Sequence, residues 1–277
     1  MKSKHIAISV PLVVLFSCLF GFGQEGTLTT DPPKGITVQE IIQKFAAKEK
    51  EFKEARDNYT FRQDVRVQTL DGDTVTGEYR EVFDVTYDDK GRHLENVVFA
   101  PQNTLTEIMM TPEDLQDIRH TMPFVLTSDE IPDYDILYVG QQQEDELHCY
   151  VFDIAPKKIE GKRRYFQGRI WVDDQDLQIV KTFGKPVPET HKKNNENLFP
   201  KFTTWREQVD GRYWFPAYTK ADDTLHFRSG GFQDVKMRDI IKYTDYRRYG
   251  SKTVITYEGK QIPGGKDQKP DEEQKPQ

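Results

Sequence analysis

The stretch Tyr59–Tyr79, YTFRQDVRVQTLDGDTVTGEY, decides the fold because its side chains alternate in polarity. Its apolar side chains fall on one side of an extended chain: Tyr59, Phe61, Val65 and Val67. Polar side chains occupy the positions between them, and a period of two is typical of a strand with one buried face. The letters DGD that follow are typical of a hairpin turn. The stretch therefore predicts two antiparallel strands that share one apolar face.

The segment before this stretch has a different period. Its apolar side chains recur at spacings of three, four and seven residues: Ile41, Ile42, Phe45, Phe52 and Ala55. Because Lys and Glu occupy most other positions, the spacing predicts an amphipathic helix of about five turns over Val38–Arg56. Thr37 and Glu40 have the spacing of a capping box at the beginning of that helix.

Alternating apolar residues return after the first turn. Phe83, Val85 and Tyr87 form a second apolar row, and strand-like segments continue at regular spacing along the rest of the chain. One interruption, TPEDLQDIRH from Thr111, has the capping threonine and first-turn proline of a second helix. We therefore predict a mainly β (α+β) protein with about ten to twelve antiparallel strands in a strongly curved sheet and two helices packed on one side.

The two ends of the chain differ in composition from the middle. Residues 1–23 have a short positive start and an apolar run, which is typical of a secretory signal peptide. Cys18 leaves an alternative, because LFSC resembles a bacterial lipobox and would give a lipid-anchored N-terminus. We expect residues 24–36 to be a flexible leader, residues 37–260 to form one domain, and residues 261–277 to be a disordered polar tail. In either case the chain is expected to leave the cytoplasm.

The acidic balance of the chain argues against two classes of partner. Removing the signal segment takes the formal charge from −7 to about −9. Nucleic acids and anionic lipid head groups both require a basic surface, so neither is an expected partner. Cys149 is the one cysteine left after signal removal, which excludes an internal disulfide, and its strand-like surroundings predict a buried side chain.

Three aspartates in GRIWVDDQDLQIVKTFG, residues 168–184, are the clearest candidates for chemistry. A calcium-binding loop would need glycine at the position where Ile179 begins an apolar strand. Asp173, Asp174 and Asp176 are therefore interpreted as a hairpin tip, since aspartate favours turns. The histidines lack metal-ligand spacing, and no nucleophile or phosphate-loop motif occurs. We expect no catalytic residue, metal site, cofactor or enzyme activity; a hydrolase with a dispersed active site is the alternative.

Taken together, these segments resemble the periplasmic lipoprotein-carrier superfamily, the LolA/LolB/RseB-like proteins, which includes outer-membrane lipoprotein-sorting proteins. The resemblance covers residues 38–258 and is carried by three features. They are the helix followed by a strand with Phe61 and Gln63, the stretch GRIWVDDQDLQIVKTFG, and the stretch TTWREQVDGRYWFPAYT. The resemblance implies a periplasmic half-barrel whose helices cover an apolar concave face that binds acyl chains of lipids or lipoproteins.

We expect this apolar groove to be lined by side chains of the first two strands and of the region around the second helix. The residues are Phe61, Val65, Val67, Phe83, Val85, Tyr87, Met109, Met110, Phe124 and Leu126. Burying an acyl chain gains about 0.8 kcal/mol per methylene, so such a groove needs no catalytic group. Acyl-chain binding in outer-membrane lipoprotein sorting is the expected function. An envelope sensor or protein-interaction domain is the alternative, and a packed core without a cavity stays open.

Overall fold

The computed structural model describes most of the predicted domain. The described residues are 25–88, 92–161, 163–189, 201–227, 233–249, 256–257 and 260–261. The predicted signal peptide (residues 1–23), Cys18 and residues 262–277 of the predicted tail lie outside them. Within the described ranges, neither helix is long and apolar enough to cross a bilayer.

Two helices and twelve strands form the described chain. The helices are α1 (Val38–Arg56) and α2 (Pro112–Gln116), and α2 continues into a π-helical turn, Asp117–Thr121. A 3-10 turn, Ile131–Asp133, precedes the fourth strand. The strands are β1 (Tyr59–Asp71), β2 (Thr74–Tyr87), β3 (His93–Phe99), β4 (Tyr134–Glu144), β5 (Leu147–Pro156), β6 (Tyr165–Asp173), β7 (Ile179–Val187), β8 (Phe202–Val209), β9 (Tyr213–Phe227), β10 (Gln233–Arg248), β11 (Thr256–Tyr257) and β12 (Lys260–Gln261).

Both helices begin at the residues that the sequence predicts. The Thr37 hydroxyl accepts the backbone N–H of Glu40, whose carboxylate accepts the backbone N–H of Thr37, so the predicted capping box is formed. Thr111 and Asp114 form the same arrangement before α2. Each box satisfies N–H groups that a helix leaves without intrahelical partners at its first turn. The sequence therefore predicts where each helix begins, although α2 lasts only five residues before it widens.

Ten of the strands form a single antiparallel sheet. Their order is β3-β2-β1-β10-β9-β8-β7-β6-β5-β4, so neighbours in sequence are mostly neighbours in space. The exception is the pairing of β1 with β10, which brings Val65 opposite Ile241. A tight turn joins β8 and β9, where Asp210 and Gly211 both have positive φ, as a type I′ hairpin turn requires.

Two ion pairs formed by one short segment show how strongly the sheet curves. In the π-helical turn, Asp117 lies 2.6 Å from Arg164, just before β6, and Arg119 lies 2.6 Å from Glu95 in β3. Strands β3 and β6 are seven positions apart in the sheet, which would be about 34 Å if the sheet were flat. Five helical residues span only about 7 Å, so the sheet must curve around them. The predicted curved, mainly β fold with helices on one side is confirmed.

The expected flexible leader, residues 24–36, begins alongside the outer edge of the sheet. Glu25 and Thr29 form antiparallel bridges with Glu144 and Gln141 of β4. Backbone hydrogen bonds of 2.8 Å join the two segments, including that from Gly26 N–H to the Gln143 carbonyl. The leader therefore covers part of the β4 edge, whose backbone groups would otherwise be open to pairing with another chain.

A buried ion pair fixes α1 on the sheet. The side chains of Glu49 in α1 and Arg206 in β8 are 0% and 1% exposed, and their nearest charged atoms are 2.9 Å apart. Glu49 also accepts the backbone N–H of Ile179 in β7, and Arg206 donates to the carbonyl of Phe124. Four segments of the chain therefore meet at this pair.

Removing one member of this pair should destabilise the protein strongly. We expect Glu49→Gln to lower the free energy of unfolding by about 3–5 kcal/mol, because the Arg206 charge stays buried without its counterion. Urea denaturation measures this change. The matched control is Asp84→Asn, which breaks the Arg62–Asp84 pair, whose members are 40% and 41% exposed; that change should cost about 1 kcal/mol or less. Equal losses in the two variants would contradict the structural role of Glu49.

Candidate functional site

The residues predicted for the apolar groove come together on one face of the sheet. We call it the inner face; α1 packs on it through Phe45. Buried there in one cluster are Val65, Val67, Phe83, Val85, Phe124 and Leu126, and partly buried against it are Phe61, Tyr87 and Met110. Met109 is the exception, with 72% of its surface exposed. The adjacent Met110 takes the inward position, so Met109 contributes nothing to the inner face in this conformation.

Within the described ranges, the side chains of the inner face pack closely against one another in this conformation. The rings of Phe45 and Phe152 have centroids 5.7 Å apart, and those of Phe124 and Phe166 stack at 4.5 Å. A cavity of about 20 Å³ is found at one end of the described part of this face. Such a cavity holds about one water molecule, whereas ligand pockets usually exceed about 300 Å³. This cavity could therefore hold a larger molecule only if side chains moved.

Residues 105–126 close the inner face, and we call them the cover segment. Its buried apolar side chains are Ile108, Ile118, Met122, Phe124 and Leu126. Charged anchors hold its helical part: Asp117, which is fully buried, pairs with Arg164, and Arg119 pairs with Glu95. The cover segment thus combines an apolar underside with ionic attachments to two distant strands.

Polar side chains interrupt the apolar lining where α1 ends. We call this group the polar corner, and its members are Arg56, Gln63, Tyr87, His93 and Arg119. They surround the 20 Å³ cavity, whose other walls are mainly aromatic. Partial burial lowers the pKa of His93 to about 4, so its imidazole is neutral at neutral pH. Arg56 and Arg119 bring two positively charged guanidinium groups to this corner.

The opposite face of the sheet carries a larger depression, which we call the outer groove. Its volume is about 1110 Å³, and it lies across strands β4 to β8. Along β6 and β7 its larger side chains come from alternate residues, Gln167, Arg169, Trp171, Lys181, Phe183 and Lys185, and Gly168 and Gly184 line it between them. Ile170 and Thr182 lie between them and are buried on the inner face, as the period of a strand requires.

A buried lysine ties the leader to the outer groove. Lys181 is 4% exposed, and its Nζ atom lies 2.9 Å from Glu144 and 2.5 Å from Glu25. The same Nζ lies 4.6 Å from the ring centroid of Trp171, within cation–π range. Burial raises the pKa of Glu144, although the Lys181 ammonium opposes that shift. The Lys181 charge is therefore already satisfied within the chain.

The hairpin interpretation of the three aspartates is confirmed. They lie at the tip between β6 and β7, where the Asp173 carboxylate accepts the backbone N–H groups of Gln175 and Asp176. Asp176 in turn accepts the indole N–H of Trp214 at 2.9 Å. Among the described residues, no group of three or more His, Cys, Asp or Glu side chains is arranged to hold a metal ion. Cys149 is 2% exposed, which confirms the prediction that it is buried.

Sequence reasoning missed both the polar corner and the outer groove. Gln63 occupies an inward position in the apolar row of β1, between Phe61 and Val65, and its polarity there is the signal that could have drawn attention. For the outer groove, the signal is the pair of large side chains Trp171 and Phe183 on the sheet face opposite the core.

Comparison with known proteins yields structural matches only. No protein-family model matches the chain, and no curated protein matches its sequence. A crystal structure of a DUF1329 family protein from Desulfovibrio piger matches with 13% identity and a TM-score of 0.39, covering 76% of this chain and 92% of that protein.

Two further matches are described with the names of the protein group that the sequence resembles. A LolA superfamily protein from Nitrosomonas europaea matches with 15% identity and a TM-score of 0.33, covering 78% of this chain and 94% of that one. A domain from Vibrio parahaemolyticus described as an outer membrane lipoprotein-sorting protein matches with 10% identity and a TM-score of 0.33, covering 76% and 93%. Structures of the superfamily are thus among the matches, at low identity, and no residue role is carried over from them.

Asp239 is a buried acid on the inner face. It lies in β10 opposite Val67 and Ala221, is 0% exposed, and neither carboxyl oxygen has a hydrogen-bond partner within the described ranges. Burial, together with the charges of Asp114 and Asp222, raises its pKa well above the ordinary value of 3.8. The folded protein therefore holds this carboxyl in its neutral form.

Asp239 should make stability fall as the pH rises. Above pH 3.8 the unfolded chain ionises this group while the folded chain keeps it protonated. Stability is then lost at up to about 1.4 kcal/mol per pH unit, until the folded group also ionises. We expect Asp239→Asn to remove this slope. The melting temperature of the variant minus that of the native protein should therefore increase as the pH rises from about 5 to about 8.

The exposed Asp71 provides the control for this measurement. Asp71→Asn makes the same change from carboxyl to amide at a solvent-exposed hairpin tip, away from the inner face. If the melting temperatures of the native protein and Asp239→Asn changed with pH in parallel, Asp239 would ionise as readily in the folded protein as in the unfolded chain, and the prediction would be wrong.

Proposed function

We propose that the protein is an exported cell-envelope protein that binds acyl chains of lipids or lipoproteins between the inner face and the cover segment. One observation carries the proposal: apolar residues far apart in sequence converge on a single surface beneath the cover segment. Val67 in β1, Val85 in β2 and Leu126 in the cover segment are each 0% exposed and belong to that cluster. A role in outer-membrane lipoprotein sorting is consistent with this architecture.

On binding, an acyl chain would replace apolar side chains of the cover segment on the inner face. When the cover segment moves away, the side chains of Ile118 and Met122 leave the inner face and an acyl chain takes their place. Each buried methylene contributes about 0.8 kcal/mol, so the chain offsets the lost packing of the cover segment. The barrier to opening then lies in the polar anchors, of which Asp117–Arg164 is the more buried. A ligand that binds the open form shifts the equilibrium toward that form.

The proposal needs no catalytic group and places the protein in the periplasm. Burial of the acyl chain supplies the affinity, and no covalent bond is made or broken. Whether the N-terminus is made by signal cleavage near residue 23 or by lipidation of Cys18 decides between a free and an anchored protein. The mass of the mature N-terminus distinguishes these two forms.

A second function, protein interaction in an envelope sensor, is favoured by the outer face. Exposed apolar side chains are present there, with Leu137 at 66%, Phe183 at 42% and Trp205 at 37%. Exposed apolar groups that cluster within a groove are typical of contact surfaces. The filled inner face is also what an interaction domain with a permanent core would have.

Lipid binding can be tested on the purified protein. Native mass spectrometry of protein isolated from its natural periplasm should show bound lipid, and the neutral dye N-phenyl-1-naphthylamine should bind with increased fluorescence. We expect Phe124→Ala to increase dye binding several-fold, because it leaves a cavity beside Phe166 and weakens the cover segment. Phe124→Leu serves if the alanine variant does not fold, with a smaller increase.

A matched variant on the outer face separates the two functions. Phe183→Ser removes an exposed aromatic ring from the outer groove and should leave dye binding unchanged. Loss of dye binding in Phe183→Ser, with no effect of Phe124→Ala, would place the apolar site on the outer face and overturn the proposal. Absence of both co-purified lipid and dye binding would also overturn it.

A further inference from the structure

The polar corner contains two buried hydrogen-bond donors without acceptors. Gln63 is 2% exposed and lines the cavity, and its Nε2 atom has no partner in the described part of the chain. The buried Nε atom of Arg56, which lines the same cavity, is in the same state. Buried donors are almost always paired in folded proteins, so two unpaired donors beside one cavity require an explanation.

The charge of Arg56 is also unmatched. Within the described ranges Arg56 forms no ion pair, and its guanidinium lies 5.5 Å from the ring centroid of Tyr87. Arg119, by contrast, is paired with Glu95 at 2.6 Å. Asp57 is close enough for Arg56 to oppose the rise of its pKa, but it lies outside ion-pair distance. Among the described residues, Arg56 is therefore a guanidinium group of the corner without an ion-pair partner, and such a group favours an anion.

The alternation of β1 links this corner to the apolar cluster. Phe61, Gln63, Val65 and Val67 follow one another on the inner face, with Phe83 and Tyr243 beside Gln63 on the neighbouring strands. Gln63 lies about 13 Å from Val67 along the strand. A molecule with a polar head at Gln63 and an apolar tail along β1 would match the polarity of every position in this row.

We propose that the polar corner binds the carboxylate head of a long-chain fatty acid whose tail lies along the inner face. The inference rests on the proposed function and specifies its ligand class. A carboxylate accepts hydrogen bonds from both Arg56 Nε and Gln63 Nε2 and gives Arg56 a counterion. The cavity of about 20 Å³ marks the place of the head group and has to widen for a carboxylate, whereas a phosphodiester head carries a further bulky substituent.

The test compares palmitate, methyl palmitate and the C16 alcohol as competitors of N-phenyl-1-naphthylamine. We expect palmitate to bind at least tenfold more tightly than the ester or the alcohol, because only the acid brings a charged acceptor to the two donors. Arg56→Gln should remove this preference and leave the affinity for the ester within about twofold. Gln63→Leu should also weaken palmitate binding, and it should raise the melting temperature of the lipid-free protein by removing an unpaired donor.

Arg62→Gln is the matched control. Arg62 is the next arginine along the chain and belongs to β1. It lies on the opposite face of the sheet and pairs with Asp84, so its loss should leave the acid preference unchanged. If Arg56→Gln fails to fold, Arg56→Lys keeps the charge and removes the Nε donor, and it should reduce the preference in part.

The outcomes distinguish this inference from the proposed function. Equal binding of acid, ester and alcohol, or equal weakening of all three by Arg56→Gln, would overturn the carboxylate site while acyl-chain binding stands. If the dye binds and none of the three displaces it, both proposals fall. Loss of the acid preference in Arg62→Gln would place the anion outside the polar corner and overturn the inference.

Discussion

The ion pair between Glu49 and Arg206 lies where α1, β7, β8 and the cover segment meet. Because both side chains are almost completely buried, neither keeps its charge at low cost without the other. Apolar packing alone is not directional and would permit several positions of α1 on the sheet. The hydrogen bonds of this ion pair are directional and fix the position of α1. Arg206 also holds the carbonyl of Phe124, so the cover segment is fixed at its C-terminal end. Any opening must therefore begin in the part that contains α2.

The two faces of the sheet differ in how closely they are packed and in how their charges are paired. The inner face is apolar and filled, so a ligand there competes with the protein's own side chains. The outer groove is large and open, but its basic residues include Lys181, whose charge is already matched by Glu25 and Glu144. The polar corner is the place on the inner face where hydrogen-bonding capacity and charge both remain unmatched. Specificity for a head group can thus reside at one end while affinity comes from the apolar remainder.

Local signals in the sequence predict most of the secondary structure. The bounds of α1 follow from a helical period and from the capping box at Thr37, and the hairpins follow from alternation and Asp-Gly turns. The polar corner could not be predicted in the same way, because Arg56 and Gln63 meet Tyr243 only through the pairing of β1 with β10. Met109 shows a finer limit: periodicity cannot decide which of two adjacent methionines in an irregular segment points inward.

The pairing of β1 with β10 also constrains how the chain folds. Val65 and its partner Ile241 are 176 residues apart, so the centre of the sheet cannot form until nearly the whole domain is available. Such a contact has a large loop-closure entropy, and folds that depend on distant pairings fold slowly. A chain that is still emerging from a ribosome or a translocation channel lacks the strand that completes its central pairing. The topology thereby delays completion of the central pairing until β10 is available.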